Sequence, residues 1–517
     1  MTTLSMKDRI LNLPPYCFGF LFGRPARSNS KRAQHKFIER LNASRQKMLL
    51  VILLTTSALM ASGSALANEW FETLKGEATD QQLHQFLYEM PKGGDLHHHM
   101  SGSGFSEWWY ELALAAEKDG YRYYTKVKLN NCRDYGGQSF KTTPYHLMFQ
   151  TIVEAKWQAL PECEQAEYLS LDALDEVQKQ AWMNSIRLDK SYEGRDEFFE
   201  THWQRLGDLT ANPYLRGELI LKNFQAFSDE GLIYVEPQVT SLGYERPDGS
   251  SIDPYEVAAI LRARLAEPDF KALGMTYRFQ LAILRFLPGA EDHLAYAYKF
   301  VAENDPYVAV NMVGREDNDK GYPLRFLPTL RALRHEYGNV RLSIHAGEVD
   351  EPNFHVRDTL LLGADRIGHG LNLITDPDTM RLMRHGPYMV EINLVSNLLL
   401  EYYDDYKSHP FPEYLRIGIP VALSTDDRGM WDSTMTDEFF VAVREFNLSW
   451  DEIQQLSENS LKYAFLPEEE KSQLIETYRQ RTARFEKRFK KSGISALKAS
   501  NAPKRAFICN RYDICAP

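Results

Sequence analysis

The chain has 517 residues, 44% hydrophobic and 25% charged, a composition typical of a folded globular protein and unlike that of a disordered or collagen-like one. Residues 1–47 carry a net charge of +8, so with −11 for the whole chain the remainder carries −19. An acidic body argues against nucleic acid as a partner, because phosphate binding needs clustered Lys and Arg. A small neutral or cationic substrate is easier to accommodate.

The N-terminal residues resemble an export signal. The apolar run 48–60 follows Arg45 and Lys47 and leads into small residues that end at Ala67. This run is too short to span a bilayer comfortably, and its flanks are those of a secretory signal peptide. We therefore expect residues 1–67 to be a leader and signal peptide, cleaved near Ala67, with no stable membrane anchor and a periplasmic or secreted mature protein.

Four cysteines remain in that mature protein: Cys132, Cys163, Cys509 and Cys515. An even number of cysteines in an exported protein favours disulfides. Proximity along the chain favours the pairs Cys132 with Cys163 and Cys509 with Cys515, although four cysteines allow three pairings.

A histidine-rich segment follows a predicted helix at residues 68–90 and precedes another at 105–116. Read as a strand, it places His97 and His99 on one face and His98 on the other, because strand side chains alternate. Two histidines on one face are half of a metal site, and a His-x-His pair alone is more often simply a pair of polar residues.

Residues 120–190 break the regular pattern and are predicted to form an inserted segment on a loop. From residue 193 onward, short apolar strands alternate with helical stretches, which favours parallel strands with helical crossovers. The predicted strands, after the histidine segment, are residues 232–239, 276–284, 307–314, 341–348, 366–370, 389–396 and 420–427.

Eight such strands predict an α/β fold, a (β/α)₈ TIM barrel, within residues 68–517. An open doubly wound sheet is the nearest competitor, but no Gly-rich phosphate turn follows the first strand. Residues 435–491 are predicted to be helical, and residues 492–517 form a C-terminal tail.

Ionisable residues stand at the predicted carboxyl ends of three strands, where the active sites of such barrels lie. They are His345 and Glu348, His369, and the pair Asp426 and Asp427. Zinc binds His nitrogen and carboxylate oxygen and keeps an open position for water when it is catalytic. His97, His99, His345 and Asp426 fit that requirement, and Glu348 and His369 are candidates for proton transfer.

These motifs resemble those of the adenosine deaminase family. The resemblance rests on Pro91-Lys92 with the segment 95–99, and on the motifs at 345–348, 366–370 and 424–427. It covers about residues 85–480. The export signal and the cysteine-bearing segment are similar to the secreted branch of that family, the adenosine deaminase-related growth factors.

The resemblance implies a zinc-dependent barrel that removes the 6-amino group of adenosine by hydrolysis. One zinc ion per chain would be held by His97, His99, His345 and Asp426. The implied roles of the other site residues are these: Glu348 protonates purine N1, His369 activates the water, Asp427 binds N7, and the backbone of Gly314 approaches the purine.

Ser101 departs from the family pattern, since many members have an acid there that holds the ribose hydroxyl. A purine nucleoside is the expected small-molecule partner, with adenosine or 2'-deoxyadenosine favoured. The alternatives are a deaminase of another aminopurine or modified nucleoside, and a non-catalytic nucleoside-binding or signalling protein. The sequence leaves the oligomeric state open.

Overall fold

Parallel strands with helices between them make up most of the computed structural model, which describes residues 69–133, 145–498, 501–512 and 514–515. The predicted leader and signal peptide lie outside these residues. One sheet has six strands, in the spatial order Val421–Leu423, Met389–Ile392, Arg366–His369, Arg341–Ala346, Tyr307–Val313 and Phe279–Leu284. A second sheet has three, in the order Gly94–Asp95, Tyr234–Val235 and Thr276–Tyr277, and all neighbouring strands in both sheets are parallel.

The strands of these two sheets are β1 (Gly94–Asp95), β5 (Tyr234–Val235), β6 (Thr276–Tyr277), β7 (Phe279–Leu284), β8 (Tyr307–Val313), β9 (Arg341–Ala346), β10 (Arg366–His369), β11 (Met389–Ile392) and β12 (Val421–Leu423). Their apolar residues are buried almost throughout, as expected of strands covered on both faces. The sequence prediction of a parallel α/β fold is confirmed.

Backbone hydrogen bonds join the histidine segment to strand ends on both of its sides. The His99 N–H donates to the Asp426 carbonyl at 3.1 Å, and the Met100 N–H donates to the Gln238 carbonyl at 3.1 Å. The residues after β1 therefore lie between the end of β12 and the end of β5.

The predicted strand 276–284 is interrupted. β6 pairs with β5, whereas β7 pairs with β8, so the chain changes partners at Arg278 between the two strands. One predicted strand therefore belongs to both parallel sheets.

The predicted strand 389–396 is wrong in its second half. It ends at Ile392, and a helix Leu394–Leu399 follows. The backbone N–H groups of Leu394 and Val395 donate to the buried Glu438 carboxylate at 2.8 and 3.1 Å. A carboxylate at this position satisfies the free N–H groups of a helix start, so a distant residue decides the local structure.

Three helices begin with Asn or Asp followed by Pro, at Asn212, Asp253 and Asp376. The side-chain oxygen caps the first N–H groups, and Pro fits the first helical position. The helices that follow or cover the parallel strands are Ser106–Ala115, Pro213–Asp229, Pro254–Leu265, Pro268–Lys271, Ala290–Glu303, Leu327–Tyr337, His355–Leu362, Pro377–His385, Phe411–Ile417 and Arg428–Trp431.

The predicted helix 68–90 is two helices, Glu69–Glu77 and Asp80–Glu89. Thr79 and Gln82 form a capping box that starts the second helix. The helical prediction for 435–491 is confirmed as three helices, Met435–Phe446, Trp450–Lys462 and Glu468–Ser492. Among the described residues, every helix is too short or too polar to cross a membrane.

The residues predicted to be inserted contain an antiparallel sheet of their own, with order β3-β2-β4. Its strands are β2 (Tyr123–Lys126), β3 (Thr151–Val153) and β4 (Tyr168–Ser170), with helices Glu154–Gln158, Glu162–Gln165 and Glu176–Asn184 beside them. The disulfide Cys132–Cys163 ties this region together, and Cys509–Cys515 closes a short loop near the C-terminus. Both favoured cysteine pairings are therefore confirmed.

Replacing Cys132 and Cys163 together by Ser is expected to lower the free energy of unfolding by about 3–4 kcal/mol, because the bridge closes a loop of 31 residues. The same change at Cys509 and Cys515, six residues apart, is expected to cost about 2 kcal/mol. Urea denaturation measures both, and hydrogen exchange should rise in β2, β3 and β4 only in the first variant. Equal losses in the two variants would contradict this assignment.

Candidate metal centre

The histidine segment is fixed in place by Asp95, the last residue of β1. One carboxylate oxygen accepts the His97 N–H at 3.0 Å, and the other accepts the Thr425 N–H at 3.1 Å and its hydroxyl at 2.6 Å. The same buried carboxylate thus ties the first histidine to the residue before Asp426. The His98 side chain points away from His97 and Asp426, and its Nε2 lies 3.3 Å from the side-chain amide nitrogen of Asn223.

Four predicted metal ligands converge at this point. His97, His99, His345 and Asp426 each bring one ligand atom within 4.8 Å of the others. His99 Nε2 lies 3.3 Å from His345 Nε2 and 3.3 Å from Asp426 Oδ1, and His97 Nε2 lies 3.6 Å from the same oxygen. Sequence and structure agree on the complete set.

The donor set fits a metal cation. His97 is fully buried, yet its Nε2 has no hydrogen-bond partner. Burial lowers the pKa of His99, and burial with the neighbouring imidazoles lowers that of His345 well below its ordinary value. Burial acts in the same direction on His97, but Asp426 and Glu391 outweigh it and raise its pKa to about 10. A buried ring nitrogen without a hydrogen-bond partner, close to a carboxylate oxygen, is a donor arrangement that suits a metal cation.

In two of the ligand histidines, the ring nitrogen Nδ1, which does not face the other ligands, contacts a polar side chain. His97 Nδ1 donates to Glu391 at 2.7 Å, and His345 Nδ1 lies 2.9 Å from the Asn311 side-chain oxygen. Such contacts leave Nε2 free to face the metal and hold each ring in one orientation. The sequence analysis missed Glu391 and Asn311, although a polar residue inside an apolar strand is a recognisable signal.

A second group lies beside the first. His345, Glu348 and His369 also bring ligand atoms within 4.8 Å of one another, and His369 Nε2 is 3.6 Å from Glu348 Oε2. Asp426 and His369 have positive φ angles of 52° and 62°, which residues other than glycine rarely adopt. Strained backbone of this kind is concentrated at functional sites.

The Glu348 carboxyl group is set up to hold a proton. Burial raises its pKa well above the ordinary value, and the charges of Asp426 and Glu316 act in the same direction. Glu316 Oε2 also accepts the N–H groups of Gly347 and Glu348 at 2.8 and 3.0 Å, and the Tyr402 hydroxyl donates to Glu348 Oε1 at 3.3 Å. Glu316 and Tyr402 were not predicted.

Asp427 is buried beside Asp426, and its Oδ1 has no hydrogen-bond partner. Burial and the adjacent Asp426 charge raise its pKa well above the ordinary value. A Cβ atom on Gly102 would lie 1.6 Å from this oxygen, so only glycine leaves room for Asp427 here. An unpartnered buried carboxyl group is available to a ligand.

The two remaining predicted residues, Gly314 and Ser101, are not among the residues whose ligand atoms converge. Gly314 follows β8 with a φ of 101°, and its carbonyl accepts two bonds from Arg285 at 3.1 and 2.8 Å. Ser101 is half-buried in the turn after His99, and its carbonyl accepts the Gly104 N–H at 3.3 Å.

Comparison with known proteins gives a consistent result. The family model described as adenosine deaminase matches residues 216–481. An adenosine deaminase of Serratia proteamaculans is 32% identical over 281 residues, 53% of this chain and 79% of that protein. An adenine deaminase of Aspergillus oryzae is 26% identical over 339 residues, 61% of this chain and 93% of that protein.

Among solved structures, Arabidopsis ADAL complexed with GMP superimposes with a TM-score of 0.55 at 20% identity, over 76% of this chain and 98% of that one. At this identity the match concerns the fold alone.

Replacing Asp426 by Asn is expected to abolish stoichiometric binding of a divalent metal, because it removes the carboxylate charge from the four-residue set. Asp427→Asn is the matched control, since its side chain is outside that set, and it should keep its metal. Elemental analysis of the purified proteins after dialysis measures both. Equal metal content in the two variants would argue against the assigned ligand set.

Proposed function

The chain belongs to the adenosine deaminase family and is a hydrolase with a His-His-His-Asp metal site. We propose that it deaminates adenosine or 2'-deoxyadenosine, giving inosine or 2'-deoxyinosine and ammonia. The observation that carries the proposal is the buried pair of Glu348 and His369 directly beside the metal ligands. A protein that only bound nucleosides would have no need for a protonated carboxyl group at this position.

Zinc is the proposed metal, one ion per chain, held by His97, His99, His345 and Asp426. Three imidazoles and one carboxylate suit zinc, and each ligand atom is already turned toward the others. Bound zinc lowers the pKa of a coordinated water toward neutrality and so supplies a nucleophile at physiological pH.

The protein's own residues would bind the purine and move its protons. Glu348, whose pKa is raised by burial and by the charges of Asp426 and Glu316, gives its proton to purine N1, which makes C6 more electrophilic. His369 holds the attacking water from Nε2. Asp427 contacts N7, for which its unpartnered Oδ1 is free, and the backbone of Gly314 lies along the purine edge.

The fold proposed for this site is a closed eight-stranded barrel with residues 120–190 inserted after its first strand. The hydrogen bonds from the histidine segment to the ends of β12 and β5 support closure. The separate antiparallel sheet β3-β2-β4 supports the insertion. We place the domain boundaries where the sequence suggests them, at 67 and 68 for the leader and at 492 for the C-terminal tail.

A second substrate class is favoured by Ser101. An acid at this position holds the ribose hydroxyl in many family members, and its absence weakens the preference for a ribosyl group. Deamination of a different aminopurine or of a modified nucleoside is therefore the alternative, and the similarity to an adenine deaminase over 93% of its length fits it.

Adenosine, 2'-deoxyadenosine, adenine and AMP should be compared as substrates by ammonia release. The zinc-loaded enzyme is expected to convert the two nucleosides fastest, to lose this activity on chelation and to regain it with zinc. Preference for adenine or AMP would support the alternative. Bound zinc without turnover of any of the four compounds would overturn deamination of adenosine, 2'-deoxyadenosine, adenine and AMP, and would restore the nucleoside-binding hypothesis.

Glu348→Gln is expected to keep its zinc and lose activity by about 10²–10⁴-fold, the usual contribution of a general acid. The same substitution should also raise the melting temperature of the metal-free protein at pH 7. Because the folded protein raises the pKa of Glu348 above its unfolded value, wild-type stability is lost as pH rises through the folded pKa. The metal-free variant should thus melt above metal-free wild type at pH 7, with little difference near pH 4. Full activity would remove Glu348 from this role.

The proposed location is outside the cytoplasm, in line with the secreted branch of the family. The disulfides Cys132–Cys163 and Cys509–Cys515 support it, since such bridges persist in oxidising compartments. N-terminal sequencing of the protein from its native host should find a chain that begins close to Asn68. Recovery of the intact leader from the cytoplasm would count against export.

A further inference from the structure

His409 is a buried histidine outside the site described so far. It lies just before the helix Phe411–Ile417 and is 3% exposed, between the rings of Tyr403 and Phe446 at centroid distances of 5.0 and 6.2 Å. Burial lowers its pKa to about 3, so the ring is neutral and carries a single proton.

The position of that proton follows from the backbone. The Phe411 N–H donates to His409 Nδ1 at 3.1 Å. A backbone amide is always a donor, so Nδ1 must be the acceptor and the proton must sit on Nε2. His409 Nε2 in turn lies 3.2 Å from the Asn397 side-chain oxygen. His409 therefore donates to Asn397.

This contact fixes the orientation of the Asn397 amide. With its oxygen facing a donor, its nitrogen faces His369, and Asn397 Nδ2 donates to His369 Nδ1 at 3.0 Å. The Asn393 amide adds a second donor to the same atom at 3.3 Å. His369 Nδ1 is thus an acceptor, and in the neutral ring the proton lies on Nε2, the atom 3.6 Å from Glu348.

We propose that His409 is a positioning residue which, through Asn397, holds His369 in the Nε2–H form, so that His369 acts in the reaction as a hydrogen-bond donor and not as the base. The proposal deepens the function proposed above and rests on it for the identity of the reaction. His369 Nε2–H would donate to the oxygen of the attacking water, and it would continue to stabilise that oxygen as negative charge develops.

The chain offers a matched pair of variants. His409→Leu removes the donor to Asn397, so the amide is free to rotate and present its oxygen to His369 Nδ1. His409→Gln places an amide nitrogen near the original Nε2 position and can still donate to Asn397. The first variant is expected to lose kcat by about 10–100-fold, the usual effect of disturbing such a supporting contact, with KM and zinc content little changed. The second should recover most of the loss.

The direct test is the ¹⁵N spectrum of histidine-labelled, zinc-free protein, with the His369 signals assigned from a His369→Gln sample. Wild type should show His369 as the Nε2–H form, His409→Leu should show a mixture with the Nδ1–H form, and His409→Gln should resemble wild type. An Nδ1–H or doubly protonated His369 in wild type overturns the proposal, and so does an unchanged tautomer in His409→Leu.

If His409→Leu fails to fold, the wild-type spectrum still decides whether His369 is in the Nε2–H form, without which the proposal falls. The spectrum needs neither zinc nor substrate, so it separates the two claims. A wild-type protein that shows the Nε2–H form but deaminates none of the four compounds would support the hydrogen-bond chain and refute the proposed reaction.

Discussion

The close approach of three imidazoles and one carboxylate inside the protein is the constraint on which the rest of this structure depends. His99 Nε2 lies 3.3 Å from both His345 Nε2 and Asp426 Oδ1. Nitrogens this close cannot all carry protons in a buried site without strong repulsion. The groups around the imidazoles must therefore determine which ring nitrogens are protonated. A cation between the four ligand atoms would balance the negative charge of Asp426.

Buried polar side chains in contact with the ligand histidines determine which ring nitrogens are protonated. Glu391 accepts from His97 and also from Arg366, which donates in addition to Glu236. Burial opposes these charges, but the two carboxylates hold the pKa of Arg366 above its ordinary value, and Arg366 holds that of Glu391 below. A charge cluster of this kind is costly unless every member is paired. These contacts connect His97 to Glu391 in β11, and through it to Arg366 in β10 and to Glu236 just after β5.

Two carboxyl groups close to the metal ligands have raised pKa values, in contrast to the lowered pKa of Glu391. Glu348 and Asp427 are buried close to Asp426, and their pKa values are raised while that of Asp426 is lowered. The pKa values of these three buried carboxyl groups thus shift in different directions: burial acts to raise all three, but hydrogen bonds to His97 and His99 lower that of Asp426, whereas neighbouring carboxylates add to the effect of burial on Glu348 and Asp427. This difference separates metal binding from proton donation in the proposed mechanism.

The metal-ligand set and the parallel α/β fold could be predicted from the sequence, because ionisable residues interrupt apolar strands and because strand periodicity places alternate side chains on one face. Proximity along the chain favoured the two disulfide pairs that the structure contains, out of three possible pairings. The division of the predicted strand 276–284 into β6 and β7, and the helix that begins at Leu394, could not be predicted. The latter depends on Glu438, which is 44 residues away in sequence from Leu394 and adjacent in space.

The ring nitrogens of His97, His345 and His369 that take part in hydrogen bonds could be identified only from the folded structure. Glu391, Asn311 and Asn397 are distant in sequence from the histidines whose rings they contact, and His409 reaches His369 only through Asn397. Composition and spacing reveal that a histidine is present at a strand end. The form in which it can bind a metal or donate to water depends on donors and acceptors that only the folded chain brings within 3 Å or so of the ring.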